Sequence, residues 1–345
     1  MHPVRLRPRW VLVGVAVVVA AALLGLTVGP VPISPRGALL ELVDRLPFVH
    51  VHTGLTVREE AIVWNLRLPR VVLGLQVGAM LSLAGASYQG AFRNPLADPY
   101  LLGAAGGAGL AVTLVIVAGV STTGPALLDP IPLAAFAGAL GAVALAYTVG
   151  SARGRGRSPA ALVLAGVAVA SFLTAGQTYV QQRNAQTILE VYTWILGRLT
   201  TAGWSDVLLI MPYFVVTTIV LLAHRRVLDV LSVGDQEASS LGLRAPQVRL
   251  IVVVAASLAT AAAVSVSGLI AFVGIIVPHT VRLVAGTSYR VVLPLSVLFG
   301  AAFLTLADLL ARTIISPAEL PIGVITAAVG APFFVVLLRT SKVTP

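Results

Sequence analysis

Residues 90–103 read GAFRNPLADPYLLG, and long apolar runs flank this polar stretch on both sides. A residue that precedes proline avoids the helical region of backbone space. The two dipeptides Asn94-Pro95 and Asp98-Pro99 therefore predict a turn that ends one helix before the next begins. Because each flanking run is near the ~20 residues that cross a bilayer, the stretch predicts a turn between two membrane-spanning helices.

The composition of the 345-residue chain is that of a polytopic membrane protein. Hydrophobic residues make up 58% of it, charged residues only 10%, and the mean hydropathy is +0.97. A soluble protein carries roughly a quarter charged residues. Cysteine is absent, which excludes a disulfide framework, a thiolate nucleophile and a cysteine metal site.

Ten apolar spans fit into the sequence, and we expect one transmembrane domain over residues 1–345. The basic N-terminus followed by an apolar run has the form of a signal peptide, but the run is long and no small-residue cleavage site follows it. A first transmembrane helix is therefore favoured. The spans start near Trp10, Asn65, Tyr100, Ile131, Pro159, Ser205, Val248, Ile270, Val292 and Leu320.

The distribution of charge predicts that both termini are cytoplasmic. The net charge is +10, and basic residues mark cytoplasmic loops in membrane proteins. With the N-terminus inside, the inward segments hold 15 of the 23 Lys and Arg residues. Nothing alternates aromatic with basic residues as a single-strand nucleic-acid binder would, so no nucleic-acid partner is expected.

Three segments outside the spans are long enough to suggest a function. Residues 30–64 and 181–204 are expected outside the cell. Residues 225–247 are expected inside it.

The inner segment is expected to bind a protein partner through residues 227–244. Gly234 separates two short helical pieces, and Ala238 and Leu241 stand at i and i+3, the spacing that predicts a shared helix face. Asp235 and Glu237 would be repelled by anionic lipid, which favours a protein over the membrane surface.

Three arginines are expected at the outer side, against the inside bias of basic residues. Arg67 and Arg70 lie in RLPR, where they either snorkel to the interface or dock an acidic partner. Arg312 follows Asp308 at the i, i+4 spacing at which opposite charges meet. A charge inside a span needs such a partner, so Arg312 is either structural or shared with the outer surface.

Motifs for enzymatic chemistry do not occur in the sequence. It contains no Walker A motif, no HExxH and no glycine-rich phosphate loop that opens a helix after a strand. We therefore expect no enzyme, no cofactor and no resident metal in this chain.

Four stretches together resemble the permease subunits of FecCD-type, or type II, ABC importers for iron–siderophore, haem and cobalamin. They cover nearly the whole chain from Arg67 to Leu338, in order. The matching stretches are RLPRVVLGLQVGAMLSLAGASYQGAFRNPLADPYLLG, GDQEASSLGL, GLIAFVGIIVPHTVRL and ADLLAR…PAELPIGVITAAVGAPFFVVLL.

The resemblance implies an assembly in the cell membrane. Its parts are ten spans per subunit, a second permease copy forming a homodimer, two ATP-binding subunits inside that hold ATP and Mg, and a substrate-binding protein outside. It places a cytoplasmic gate on Asn94, Pro95, Leu96, Ser158, Pro159 and Ala160. ATPase coupling falls on Gly234, Asp235, Glu237, Ala238, Leu241 and Gly242, and binding-protein docking on Arg67, Arg70 and Arg312.

Other readings of the sequence stay open. An ion-coupled secondary transporter would need ionisable groups near the membrane midplane, and Asp308 is the candidate for one. A purely structural membrane subunit would leave the acidic inner helix pair without a role. The sequence does not distinguish haem, ferric siderophore and cobalamin, nor pairing with itself from pairing with a paralogue.

Overall fold

The computed structural model describes residues 6–45, 50–120, 129–151, 159–200 and 203–340, and regular structure in these ranges is helical. A 3-10 turn covers Ala185–Thr187, and a π-helical turn, Val63–Arg67, joins the third and fourth helices. The helices are α1 (Pro8–Thr27), α2 (Pro35–Asp44), α3 (Val57–Ile62), α4 (Leu68–Phe92), α5 (Ala104–Val117), α6 (Pro130–Ser151), α7 (Pro159–Arg183), α8 (Ile188–Ile195), α9 (Trp204–Ala223), α10 (Arg225–Val233), α11 (Asp235–Ser240), α12 (Ala245–Ser267), α13 (Val273–Ala285), α14 (Tyr289–Thr313) and α15 (Ile322–Thr340).

Seven of the described helical segments are long and apolar enough to cross a membrane. They are α1, the continuous segment from α3 through α4, α6, α7, α9, α12 and α14. Three shorter apolar helices, α5, α13 and α15, stand where the other predicted spans begin. The predicted all-helical membrane fold is confirmed, whereas the count of ten crossings and the side of each terminus stay predictions.

Helix α4 is the centre of the bundle, with α14, α12, α13, α9 and α1 packed around it. It is buried over nearly its whole length. Two glycines let neighbouring backbones approach it: a Cβ at Gly78 would lie 2.2 Å from the Gly300 carbonyl oxygen, and one at Gly85 would lie 2.1 Å from that of Gly274. Small residues are what allow such close packing of membrane helices.

Helix α4 also fixes which features lie at opposite ends of the molecule. Its 25 residues rise about 37 Å. Arg67 and Arg70 lie at its start, and we call this the arginine end. The turn of residues 93–103 follows its last residue, and we call this the turn end.

The predicted spans match the observed helices closely, with each predicted start within four residues of a helix start. The predicted break between the spans that start near Val248 and Ile270 is present, near Gly268. Residues 268–272 are not helical, and both Gly268 (φ 68°) and Phe272 (φ 71°) have left-handed backbone conformations. The Tyr100 hydroxyl accepts from the Ile270 N–H at 3.0 Å and donates to the Ile270 carbonyl at 3.1 Å, so this buried break keeps hydrogen-bond partners.

Candidate functional site

Two side chains shape the turn of residues 93–103, and each accepts a backbone N–H two residues further along the chain. The Asn94 Oδ1 accepts the backbone N–H of Leu96 at 2.9 Å, and the Asp98 Oδ1 accepts that of Tyr100 at 2.8 Å. In each case the residue in between is proline, which has no N–H of its own. Asn and Asp side chains commonly close turns in this way, so each Asx-Pro pair sets a tight local bend.

The Asp98 carboxyl group lies in this turn, outside the helices. Loss of hydration raises its pKa to about 6, while the hydrogen bond from the Tyr100 N–H acts in the opposite direction. The turn therefore carries a carboxylate that takes up a proton closer to neutral pH than an exposed aspartate does.

Gln89, in the last turn of α4, fastens residues 93–103 to the bundle. Its Nε2 donates to the Ala97 carbonyl at 3.3 Å and to the Gly274 carbonyl at 3.1 Å. Its Oε1 accepts from Arg282 Nη1 at 2.6 Å. Since α13 contributes both Gly274 and Arg282, Gln89 ties the turn to α13.

A cleft of about 580 Å³ lies between this turn and helix α7. The cleft brings Asn94 and Ala160, from the two predicted gate segments, to one place. Leu96 stands at the tip with half of its surface exposed. Pro159 begins α7 and Ser158 lies outside the described residues. The lining residues are Phe92, Arg93, Asn94, Ala160, Val163, Leu164 and Val167.

Helices α10 and α11 also lie at the turn end, where α10 packs against α4 and α14 and α11 packs against α10 and α12. Leu228, Leu231 and Ala238 are buried and anchor the pair. The prediction that Ala238 and Leu241 share one face is wrong, because α11 ends at Ser240 and Leu241 is 70% exposed while Ala238 is fully buried.

Glycines bound the second helix of this pair. Gly234 separates α10 from α11 as the sequence predicts, and Gly242 follows α11 with φ at 79°, a left-handed conformation that favours glycine. Asp235 and Glu237 occupy the first turn of α11.

Asp229 attaches α10 to the start of α14. Its carboxylate accepts the Ser288 hydroxyl at 2.7 Å and the Tyr289 N–H at 2.5 Å, and it pairs with Arg290 at 3.2 Å. A carboxylate at a helix N-terminus meets unpaired N–H groups and the positive end of the helix dipole. The α10 helix is thus held by charge as well as by packing.

At the arginine end, Arg70 is the centre of a buried ion cluster. Its Nη2 lies 2.8 Å from Asp308 Oδ1 and 2.9 Å from Glu319 Oε2. The predicted pairing of Asp308 with Arg312 is present but weak, at 3.8 Å. The main partner of Asp308 is Arg70, which comes from a different helix.

Arg67 and Arg312 point into the bundle, and their guanidinium groups donate to backbone carbonyls. Arg67 donates to Leu26, Thr27 and Val31, and Arg312 Nη2 donates to Gly25 at 2.7 Å. The four accepting carbonyls lie in the last turn of α1 or shortly after it, whereas the two arginines stand on the π-helical turn and on α14. These arginines therefore fix α1 against the rest of the bundle. Docking of a partner by the three arginines stays a prediction, in which Arg70 is the most exposed member at 12% of its side chain.

Sequence reasoning missed three polar residues at the turn end: Gln89, Arg249 and Arg282. Arg249 is buried, and its Nε donates to the Ala91 carbonyl at 2.9 Å. A polar residue within the first or last turn of a predicted span was the available signal, but its partners lie far away in sequence. Among the residues that the structure describes, no group of three or more His, Cys, Asp or Glu could hold a metal ion.

This arrangement, a helical membrane bundle with a Pro-rich turn and a short exposed helix pair at one end, agrees with comparisons to known proteins. The model of the FecCD transport family matches residues 17–340. The cobalamin import system permease protein BtuC of Halobacterium salinarum is 39% identical, with 97% of this chain and 96% of that protein covered. The hemin transport system permease protein HmuU of Yersinia pestis is also 39% identical, covering 81% of this chain and 84% of that protein.

A solved structure has the same fold along nearly all of its length. It is described as an inward-facing conformation of a metal-chelate type ABC transporter, with a TM-score of 0.81, 28% identity and coverage of 96% of this chain and 99% of that one. The class is thus a permease subunit of an ABC importer, a multi-pass protein of the cell membrane. The chain belongs to the FecCD transport family.

Proposed function

We propose that the chain moves a large metal chelate, such as haem, cobalamin or a ferric siderophore, into the cytoplasm. Two copies form the path, two ATP-binding subunits supply the energy, and a substrate-binding protein delivers the chelate from outside. The relatives named for cobalamin and hemin support this substrate class. ATP and Mg belong to the partner subunits, and the permease itself makes and breaks no bonds.

The turn end is proposed to face the cytoplasm, with all ten apolar helices crossing the membrane. The excess of basic residues in the predicted inward segments supports this orientation. Asp235 and Glu237 lie at the same end, which disfavours a role of α11 in binding anionic lipid.

One observation carries the proposal: the predicted gate and the predicted coupling helices lie at the same end of α4. Asn94 and Ala160 line one cleft there, with Leu96 exposed at its tip. Val233, the last residue of α10, and Leu241, which follows α11, each expose 70% of their surface. Exposed apolar side chains beside acidic ones suit a protein partner better than solvent.

The alternative of an ion-coupled secondary transporter gains nothing from the geometry. Asp308, its candidate ion carrier, is held by Arg70 through three donor contacts between 2.8 and 3.1 Å. A carboxylate whose oxygens are occupied in this way is not free to coordinate a transported cation.

Co-purification of the ATP-binding subunit tests the coupling helices. We expect Leu241→Asp to lower the recovered ATP-binding subunit at least about fivefold, since a charge replaces an apolar contact whose loss costs on the order of 1–3 kcal/mol. The matched control is Val57→Asp, an exposed apolar residue at the other end of the α3–α4 segment.

Full recovery of the ATP-binding subunit with Leu241→Asp would show that this partner binds elsewhere. An equal loss with Val57→Asp would point instead to general damage. Yield and monodispersity of both variants in detergent serve to separate the two cases.

A further inference from the structure

We propose that Asp235 and Arg249 are positioning residues that link the coupling helix α11 to the gate turn. This inference rests on the proposed function, in which α11 meets the ATP-binding subunit and residues 93–103 form the gate. It adds the residues through which movement of one reaches the other.

The buried guanidinium group of Arg249 connects two elements, α11 and α4. Its Nη2 lies 2.8 Å from Asp235 Oδ1 and 3.1 Å from Oδ2, and its Nε donates to the Ala91 carbonyl at 2.9 Å. Only 4% of its side chain is exposed. One rigid guanidinium therefore holds the first residue of α11 and the last turn of α4 at the same time.

The Ala91 carbonyl is at the point where α4 becomes the gate turn. It is one of the last four carbonyls of α4, which have no intrahelical partner. Three residues further on stands Asn94, whose side chain closes the first bend of the turn. Movement of the Ala91 carbonyl would therefore act on the backbone directly before the gate turn.

Arg93 provides a second connection from the same carboxylate. Its Nη2 lies 3.6 Å from Asp235 Oδ1, and its own backbone is left-handed, with φ at 52°. A left-handed conformation is unfavourable for a non-glycine residue, and here it marks the position where α4 ends and the turn begins. Asp235 thereby contacts two arginines near the end of α4. Arg249 is bonded to the Ala91 carbonyl, and Arg93 is itself the residue that follows α4.

The simpler explanation is that Arg249 caps α4 and neutralises Asp235, with no part in transmission. The two explanations differ in what a lysine would do at position 249. Lysine keeps the charge, but its single ammonium group lacks the planar fork of the guanidinium. Neutralisation survives this change, whereas the simultaneous hold on Asp235 and Ala91 does not.

The test uses the assembled complex with its ATP-binding subunits in proteoliposomes and a spin label at Leu96→Cys. The chain has no cysteine, so the label is unique to each permease copy. The two readouts are the rate of ATP hydrolysis and the distance between the two labels, nucleotide-free and with ADP–vanadate. Asp235→Asn and Arg249→Lys are compared with Asp235→Glu and with Arg339→Lys, an exposed arginine near the end of α15.

With Arg249→Lys, we expect ATP hydrolysis within about threefold of the unsubstituted complex. With both Arg249→Lys and Asp235→Asn, we expect the shift in label distance to fall to less than half. Asp235→Glu should restore part of the shift, and Arg339→Lys should leave it unchanged. A full distance shift in both test variants would overturn the link. An absent shift in the unsubstituted complex would instead contradict the proposed gate.

Asp235→Asn leaves Arg249 buried without its counter-charge and could prevent assembly. Arg93→Gln then decides, because the Arg93 side chain is 37% exposed and its removal leaves no buried charge. We expect Arg93→Gln to reduce the shift with hydrolysis retained, and an unchanged shift would overturn the link.

Discussion

Asn94 and Asp98 show how single residues determine the shape of the turn. Each accepts an N–H two residues later, across a proline that cannot donate. The sequence predicts this turn because the information is local. The two bends also explain why Leu96, which lies between them, is held at an exposed tip.

The partners of the charged residues could not be predicted in the same way. Arg70 and Asp308 are 238 residues apart, so no local spacing relates them. The i, i+4 rule pointed to Arg312, but its Nε lies 3.8 Å from the Asp308 carboxylate, whereas the Arg70 Nη2 lies 2.8 Å from it. Burial decided the outcome, because a buried carboxylate needs a close partner with several donors.

Glu319→Gln tests whether Arg70 docks the substrate-binding protein. Glu319 occupies two of the Arg70 donors at 3.0 and 2.9 Å and is itself 29% exposed. If an acidic group of the binding protein competes for Arg70, removing this carboxylate should tighten binding roughly two- to fivefold at low salt. The difference should shrink as ionic strength rises, because exposed charges are screened.

The matched control is Glu190→Gln, which removes an exposed carboxylate in the first turn of α8. The affinity for the binding protein is measured for both variants at low and high salt. An equal effect of both variants would show only a general charge effect. Weaker or unchanged binding with Glu319→Gln would mean that Arg70 is not a docking residue.

Among the elements, α4 shows why this bundle is so tightly specified. Small residues along α4 bring the backbones of α13 and α14 into contact with it. Helices in a membrane gain little from burying apolar surface, so close van der Waals packing contributes more to their association. The position of Gln89 and of the turn beyond it depends on this packing.

Gly85→Ala should destabilise the protein, because the added methyl group would lie 2.1 Å from the Gly274 carbonyl oxygen. A backbone atom cannot move aside as a flexible side chain can, and overpacking costs about 1–3 kcal/mol or more. The control is Gly141→Ala in α6, where nothing lies within 4 Å. It should be neutral or stabilising by up to about 1 kcal/mol.

The measurement is the thermal midpoint of unfolding in detergent for both variants beside the unsubstituted protein. A lower midpoint for Gly85→Ala only is the expected result. Equal midpoints for the two variants would contradict the close approach of α4 and α13.

The helices were predictable to within four residues of their starts, since long apolar runs carry a strong signal. The interruption at residues 268–272 gave a weaker signal, because its residues are as apolar as the helices around it. Its structure depends instead on a long-range partner, the Tyr100 hydroxyl. Glycine at 268 was the one local hint of the break.

At the scale of the whole molecule, the two ends of α4 have different architectures. The arginine end is closed by buried guanidinium groups that bind α1, α4 and α14 together. The turn end combines an open cleft with a helix pair that exposes Val233 and Leu241. An open cleft and an exposed helix pair at the same end suit the proposed transport, in which a partner supplies the force.

Disulfide crosslinking of Leu96→Cys is the most direct test of this account. The substituted residue would be the one thiol in each copy, and a gate on the two-fold axis would bring two of them together. We predict a crosslinked permease dimer on oxidation, with a yield that falls when the ATP-binding subunits are trapped in a state that opens the inner side. A cysteine at position 96 that never crosslinks in any nucleotide state, while ATP-driven transport stays normal, would contradict the account and place the gate elsewhere.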